Sequence, residues 1–322
     1  MSFSPKIELH LHLEGAAPPD FVRRLAGEKR ISLTRVFDER GAYSYKDFEG
    51  FLQTYEAATQ VFRTPEDFAR LTREVLERAR DQGVIYTEIF LSPDFCGGRD
   101  LTAWREYLAA IEEASAAVDG IAMRGIVTCI RHFGPDKARQ TARCAAETAG
   151  AFVTGFGMGG NEAMGTARDF AWAFDCAREA GLGLTSHAGE FGGPASVRET
   201  LDHLRVARIG HGVRAVEDPA LVARLAREGI VLEVCPGSNV ALGLFPKIGA
   251  HPIERLMAAG VDITVSTDDP PFFHTTMRDE YDALEHAFGW GEDHFRVINQ
   301  TAARAAFCDA ATREDLLKRL EP

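Results

Sequence analysis

The sequence predicts an α/β fold, a (β/α)8 TIM-type barrel with a helical insertion after its first strand. Three observations predict it. Amphipathic helices alternate with short strands rich in β-branched residues about eight times along the chain, the pattern of parallel βα units. Residues suited to chemistry fall at the carboxyl ends of the first, fifth, sixth and eighth of those strands. The stretch from approximately residue 15 to 81 is far longer than an ordinary βα connection and has helical character. A doubly wound open sheet accounts for the alternation equally well, but only closure brings first and eighth strands together and gathers their ends on one face.

The elements follow in order. Ile7 to His10 reads as the first strand. In the insertion, Phe48, Phe51 and Tyr55 lie at i, i+3 and i+7, which suits either a lid over the barrel mouth or plain packing of the insertion onto the barrel. Thr64 and Pro65 open a helix whose Phe68, Leu71, Val75 and Leu76 share one face; Gly83 ends it before the strand Val84 to Phe90. Gly125 to Ile130 and Phe152 to Gly157 supply two further strands. A helix from Asp169 to Ala180 stops at Gly181 before the strand Leu184 to His187, and Ser196 with Glu199 has the spacing of a capping box. Ala207 to Gly210 is the sixth strand. Asp218-Pro219 starts a helix that ends at Gly229 before Ile230 to Val234, and the helix Pro252 to Ala259 stops at Gly260 before Val261 to Ser266.

Composition sets the outer bounds. With 322 residues, 45% of them hydrophobic, the chain can bury one large core, so residues 1–322 are expected to form a single domain. A formal net charge of -12 without a Lys/Arg-rich block argues against nucleic acid as a partner. No stretch reaches transmembrane length, and the N-terminus lacks the basic start and apolar core of a signal peptide. Six cysteines without any Cys-x-x-Cys spacing read as reduced thiols, so a cytoplasmic protein is expected.

His10-Leu11-His12 closes the first strand, and the two-residue period of a strand turns both imidazoles to one side. Alone, a His-x-His pair is a weak signal. His187-Ala-Gly-Glu190, Gly210-His211-Gly212 and Thr267-Asp268-Asp269-Pro270 each follow another strand, so the four groups converge in a barrel. Histidine nitrogen and carboxylate oxygen are the donors that a borderline divalent ion accepts, and three histidines with one carboxylate leave a position open for water. Adjacent aspartates are costly to bury together unless cations or donors share the site, although Asp-Asp-Pro alone also suits a turn and helix start. Glu190 is placed for general acid work, with a helix N-terminal carboxylate as the plainer alternative. The glycines flanking His211 imply a tight turn or close backbone approach, and a base there would orient or deprotonate an attacking water; an ordinary core histidine is the plainer alternative.

Taken together, His10-Leu-His12-Leu-Glu14-Gly15, His187-Ala-Gly-Glu190, Arg208-Ile-Gly-His211-Gly212, Cys235-Pro-Gly-Ser-Asn239 and Thr267-Asp-Asp-Pro270 strongly resemble the adenosine/adenine deaminase family of the amidohydrolase superfamily. The resemblance runs nearly end to end. It implies a barrel, hydrolytic release of ammonia from a free 6-aminopurine, and one zinc ion, or another divalent transition metal, on His10, His12, His187 and Asp268. It further implies that Glu190 protonates N1, that His211 sits beside the activated water, and that Asp269 bonds N7. Gly159-Gly160-Asn161-Glu162 is similar to the family's Ala-Gly-Asp-Glu, whose glycine amide meets N3, which points to Gly160. Ser238 and Asn239 read as loop structure.

The same resemblance divides over the substrate. Glu14, where adenosine deaminases usually carry an aspartate that meets the ribose, leans towards adenine. Ile209-Gly-His-Gly212, Thr267-Asp-Asp-Pro270 and Gly159-Gly-Asn-Glu162 lean towards adenosine. The balance favours adenosine or deoxyadenosine, giving inosine or deoxyinosine, with adenine and aminodeoxyfutalosine as alternatives. A catalytically inactive purine-binding regulator and an amidohydrolase for a non-purine amide or lactone are the readings from other classes. The first should have lost ligands or acid, and all are present.

Overall fold

A computed structural model describes residues 5–321. The eight strands are β1 (Lys6–His12), β2 (Val84–Leu91), β3 (Ala122–Ile130), β4 (Val153–Gly159), β5 (Gly183–Ala188), β6 (Arg208–His211), β7 (Val231–Val234) and β8 (Ile263–Val265). They pair in sequence order, all parallel, with helices outside. The seam between first and last strands is closed just beyond β8. Asp268 N–H donates to His10 O at 3.1 Å, His12 N–H donates to Asp268 O at 3.1 Å, and the Ser266 hydroxyl oxygen accepts from Leu9 and His10 N–H. Three candidate ligands, His10, His12 and Asp268, thus supply backbone bonds to the closing seam as well as side chains to the site. The (β/α)8 barrel expected from the sequence is the fold observed.

Helix caps follow the local chemistry. Thr64 accepts from Asp67 N–H, and the Asp67 carboxylate accepts from Thr64 N–H, a complete capping box. Gly229 ends the helix Pro219–Glu228 in the left-handed conformation, at φ 64°. The capping box expected at Ser196 and Glu199 does not form. Gly193 is the N-cap of Pro194–Glu199, and the Ser196 hydroxyl is spent on Glu162 instead. The buried Glu162 carboxylate takes the Ser196 hydroxyl while Glu199 is exposed to solvent, so the helix starts at Pro194, earlier than the sequence suggests.

Between β1 and β2 lie α1 (Pro19–Lys29), α2 (Phe48–Thr59) and α3 (Pro65–Asp81). The last behaves as a barrel helix, packed on the helix Leu101–Ala116. Only α2 reaches the mouth, where Phe48, Phe51, Leu52, Tyr55 and Glu56 line the pocket. Phe51 also packs against Phe272 and Phe273, so the aromatic row both covers the pocket and anchors its helix. All six cysteines are free thiols. Among the described residues, no helix is long and apolar enough to cross a membrane.

Candidate active site

The carboxyl ends of the strands place His10, His12, His187 and Asp268 around one point, with their donor atoms all within 4.8 Å of one another. His187 Nε2 lies 3.1 Å from His10 Nε2 and 3.3 Å from His12 Nε2, while Asp268 Oδ1 is 3.4 and 3.3 Å from the same two nitrogens. Donors about 2.0–2.1 Å from one zinc-sized ion in tetrahedral array lie roughly that far apart.

The hydrogen-bond partners fix the ring tautomers. His187 Nδ1 lies 2.9 Å from Met158 O, which can only accept, so the ring hydrogen is on Nδ1. His10 Nδ1 lies 2.8 Å from a Glu233 oxygen, and Arg208 keeps that carboxylate ionised against the penalty of burial. With both rings neutral, as metal ligands must be, the two Nε2 atoms carry lone pairs that face each other across a buried gap. Burial favours a neutral His10, yet Asp268 and Glu233 outweigh it and lift the ring to about 9. Burial likewise opposes ionisation of Asp268, but its bonds to His10 and His12 hold it well below the usual carboxylate range. The cluster as built calls for positive charge, and its donor set fits a divalent cation.

Backbone geometry reinforces the placement. His211 and Asp268 adopt φ of 61° and 68°, a conformation that costs a non-glycine residue about 1–3 kcal/mol and is concentrated at functional sites. A Cβ at Gly210 would stand 2.7 Å from the His10 ring, so the close approach expected from the sequence is realised there. A Cβ at Gly15 would overlap the Asp269 carboxyl, at 1.6 Å from Oδ1. The Glu14-Gly15 step thus makes room for Asp269.

The remaining expected residues divide. Glu190, His211, Asp269, Gly160 and His12 all line one pocket of about 600 Å³ with its mouth included, together with the metal-ligand candidates His187 and Asp268. Glu190 Oε2 is 3.7 Å from His211 Nε2. Burial, then the charges of Asp268 and Glu162, push the Glu190 carboxyl well above its usual range, so it holds a proton. Burial lowers His211 to about 3 and keeps it neutral. Asp269 is raised by burial and by Asp268, and its buried Oδ1 has no hydrogen-bond partner among the described residues. Glu14 is buried behind the pocket wall. Its Oε2 accepts from Tyr55 OH at 3.3 Å, so it meets the pocket only through the lid residue that it holds.

Several residues at the site were not singled out as functional from the sequence. Glu162 is the largest. Its carboxylate accepts from Gly189, Glu190 and Gly192 N–H and from the Ser196 hydroxyl, which shapes the turn that carries Glu190. Ser238 and Asn239 are more than loop structure: Ser238 Oγ donates to Asp268 Oδ2 at 2.8 Å and Asn239 lies against His211. Glu233, behind His10, did leave a signal: a charged residue inside a strand of buried apolar neighbours.

A parallel barrel with a three-histidine, one-aspartate cluster at the carboxyl ends of its strands and a protonated carboxyl beside it defines a hydrolase of the amidohydrolase type. The chain belongs to the adenosine deaminase family, whose model, described as Adenosine deaminase, matches residues 5–322. It is 48% identical over 319 residues to an adenine deaminase of Chelativorans sp. (strain BNC1), covering 98% of each chain. The structure is similar to that of an adenine deaminase from Arthrobacter aurescens, with a TM-score of 0.88, 31% identity and 98% of each chain covered. It is also similar to an amidohydrolase from Burkholderia ambifaria with bound Zn, with a TM-score of 0.86, 28% identity, and 98% of this chain and 89% of that one covered.

Proposed function

We propose that this chain hydrolyses free adenine to hypoxanthine and ammonia, with one divalent ion, zinc in the first instance, on His10, His12, His187 and Asp268. The observation that carries the choice of adenine is the full-length likeness, at 48% identity, to proteins named adenine deaminase. This replaces the balance in favour of adenosine. The segments that tipped it, at residues 159–162, 209–212 and 267–270, surround the metal cluster and the pocket floor, where they meet the base that both substrates share.

The geometry of the mouth supports a free base. Glu56 of the lid and His132, just after β3, pair across the opening at 3.2 Å. A Cβ at Gly159 would touch the His187 and His12 rings, and one at the next residue, Gly160, would touch His132. Consecutive residues of the wall, Gly159 and Gly160, thus lie against the metal cluster and against His132. A purine with its amino-bearing edge at the cluster directs its far edge at His132 and Glu56, where a sugar would have to displace them. Phe48, Phe51, Leu52, Phe95, Ile130 and Leu242 supply apolar walls for the ring faces.

In this scheme a bound ion lowers the pKa of water and so supplies the nucleophile at neutral pH. The chain's own residues do the rest. Protonated Glu190 donates to N1, which draws electron density from C6 and opens that carbon to attack by water. His211 lies beside the oxygen that attacks. Asp269, raised and without a partner at Oδ1, donates to N7, and the Gly160 amide meets N3. Of the two protons that the attacking water gives up, one passes to the departing nitrogen, which leaves as ammonia when the C–N bond breaks, and the other restores the Glu190 acid; a 6-oxopurine with hydrogen on N1 remains.

Side-by-side kinetics on adenine, adenosine, deoxyadenosine and aminodeoxyfutalosine test the reading. We expect kcat/KM for adenine to exceed the others by at least about 10²-fold. A preference for any nucleoside would overturn the free-base reading, and no ammonia from any of the four would overturn the deaminase reading.

A further inference from the structure

We propose that Asn239 and His251 are positioning residues which lock His211 in the tautomer with its hydrogen on Nε2, so that His211 faces the reacting centre as a hydrogen-bond donor and not as a base. The kinetic part of this inference rests on the deaminase reading above; the tautomer itself does not.

The chain of hydrogen bonds begins at a backbone group whose chemistry is fixed. Ile253 N–H donates to His251 Nδ1 at 3.2 Å, so that nitrogen presents its lone pair. His251 is 3% exposed and burial keeps it neutral, which leaves its one ring hydrogen on Nε2. That Nε2 lies 3.1 Å from the Asn239 side chain. The atom it meets must accept, so it is the carbonyl oxygen, and the amide orientation follows from the network. The Asn239 nitrogen then points the other way, 3.3 Å from His211 Nδ1. A donor faces that nitrogen, so His211 Nδ1 accepts and the His211 hydrogen is on Nε2.

The far end of the relay is the site. His211 Nε2 stands 3.7 Å from Glu190 Oε2 and 3.9 Å from Asp268 Oδ2, separations too long for direct bonds and suited to an oxygen between them. An Nε2–H there stabilises negative charge as it develops on the attacking oxygen. It cannot take a proton at the same nitrogen. Of the two roles open to His211 from the sequence, orienting or deprotonating the water, the relay selects orienting. Both intermediaries are held rigidly: Asn239 sits in the helix Pro236–Ala241 with its N–H on Cys235 O, and the His251 ring packs edge-on to Phe245.

The test uses the full chain loaded with zinc and labelled with 15N at histidine. Long-range proton–nitrogen correlation distinguishes the two neutral tautomers, and the His211 signal is assigned by its loss in His211→Gln. The parent should show the Nε2–H pattern; an Nδ1–H pattern, or a fast average of both, overturns the proposal whatever the substrate proves to be. Asn239→Asp presents an acceptor to His211 Nδ1 and should move the hydrogen there. With zinc content unchanged, kcat for adenine should then fall about 10²-fold while KM moves less than about threefold. An unchanged kcat despite a moved hydrogen overturns the role assigned to Nε2–H. His251→Leu removes the donor behind Asn239, and His251→Gln, which keeps one, should recover most of the loss. Equal losses in both variants would mark His251 as packing alone. Should Asn239→Asp fail to fold, the parent spectrum and the His251 pair still decide.

Discussion

Replacing Glu162 by glutamine should destabilise the protein and displace its acid although Glu162 touches no reacting atom. The parent carboxylate accepts four hydrogen bonds, from Gly189 N–H and Ser196 Oγ at Oε1, both 2.5 Å, and from Gly192 and Glu190 N–H at Oε2, 2.7 and 3.2 Å. In its better orientation a glutamine places nitrogen at the Oε1 position, where Ser196 can reverse and accept but Gly189 N–H loses its partner. One orphaned N–H costs about 1–3 kcal/mol, and the bonds that remain fall from charge-assisted to neutral strength, so the loss should be about 2–4 kcal/mol. For a chain of this length that lowers the unfolding midpoint by about 3–6 °C. Because Gly189 and Glu190 rest on this anion, kcat should fall at least about tenfold, with KM less affected. The Glu162 charge also helps to hold the Glu190 proton, after burial and Asp268. Activity is lost as pH rises through the pKa of that acid, so the alkaline limb should move to lower pH in the variant. Thermal unfolding of the metal-loaded protein and a pH series of kcat read these effects. Stability within about 0.5 kcal/mol of the parent, together with an unmoved alkaline limb, would refute the argument.

Glu190→Gln should keep its metal and fold yet lose about 10²–10⁴-fold in kcat, and near-normal turnover would remove Glu190 from the acid role. Metal analysis should find about one divalent ion per chain, with its removal by a chelator abolishing activity and lowering the unfolding temperature; a metal-free protein of full activity would sink the scheme. Burial lifts Glu280 to about 7 against its bonds from Thr275 and Gly237, so the native state keeps a proton that the unfolded chain releases above about pH 4.5. Its stabilising effect is therefore greatest at low pH and fades as pH rises towards 7. Glu280→Gln should gain on the parent by about 2 kcal/mol between pH 5 and pH 7 in denaturant unfolding, whereas a constant difference would mean that Glu280 is ionised throughout.

The barrel and the four candidate ligands were legible because both are written in local periods. A helix followed by glycine and a β-branched strand is a short-range pattern, and strand ends mark where a parallel barrel must carry its chemistry. The capping box at Ser196 misled for the opposite reason: its spacing is local, but the hydroxyl's partner, Glu162, lies 34 residues away. The substrate was the least legible part, since the residues that close the mouth, Glu56 and His132, are 76 apart in sequence and carry no shared spacing.

The second layer of the site shows what a sequence can still signal when contacts are remote. Arg208 bonds Glu233 and pairs with Glu88, all three fully buried on neighbouring or facing strands, and Glu233 in turn holds His10. Ionised groups are driven out of barrel interiors by the cost of desolvation unless each is matched, so a short apolar strand that keeps one charge implies a partner of opposite sign on another strand. Here β2, β6 and β7 each carry such a residue, and the set of one arginine and two carboxylates leaves a net negative charge. That surplus is turned towards the Nδ1–H of His10, which orients the ring and leaves its Nε2 to face the cluster. The buried triad therefore does for the metal cluster what Glu162 does for the acid: it fixes one ring in place and biases its electrostatics from outside the reach of the substrate.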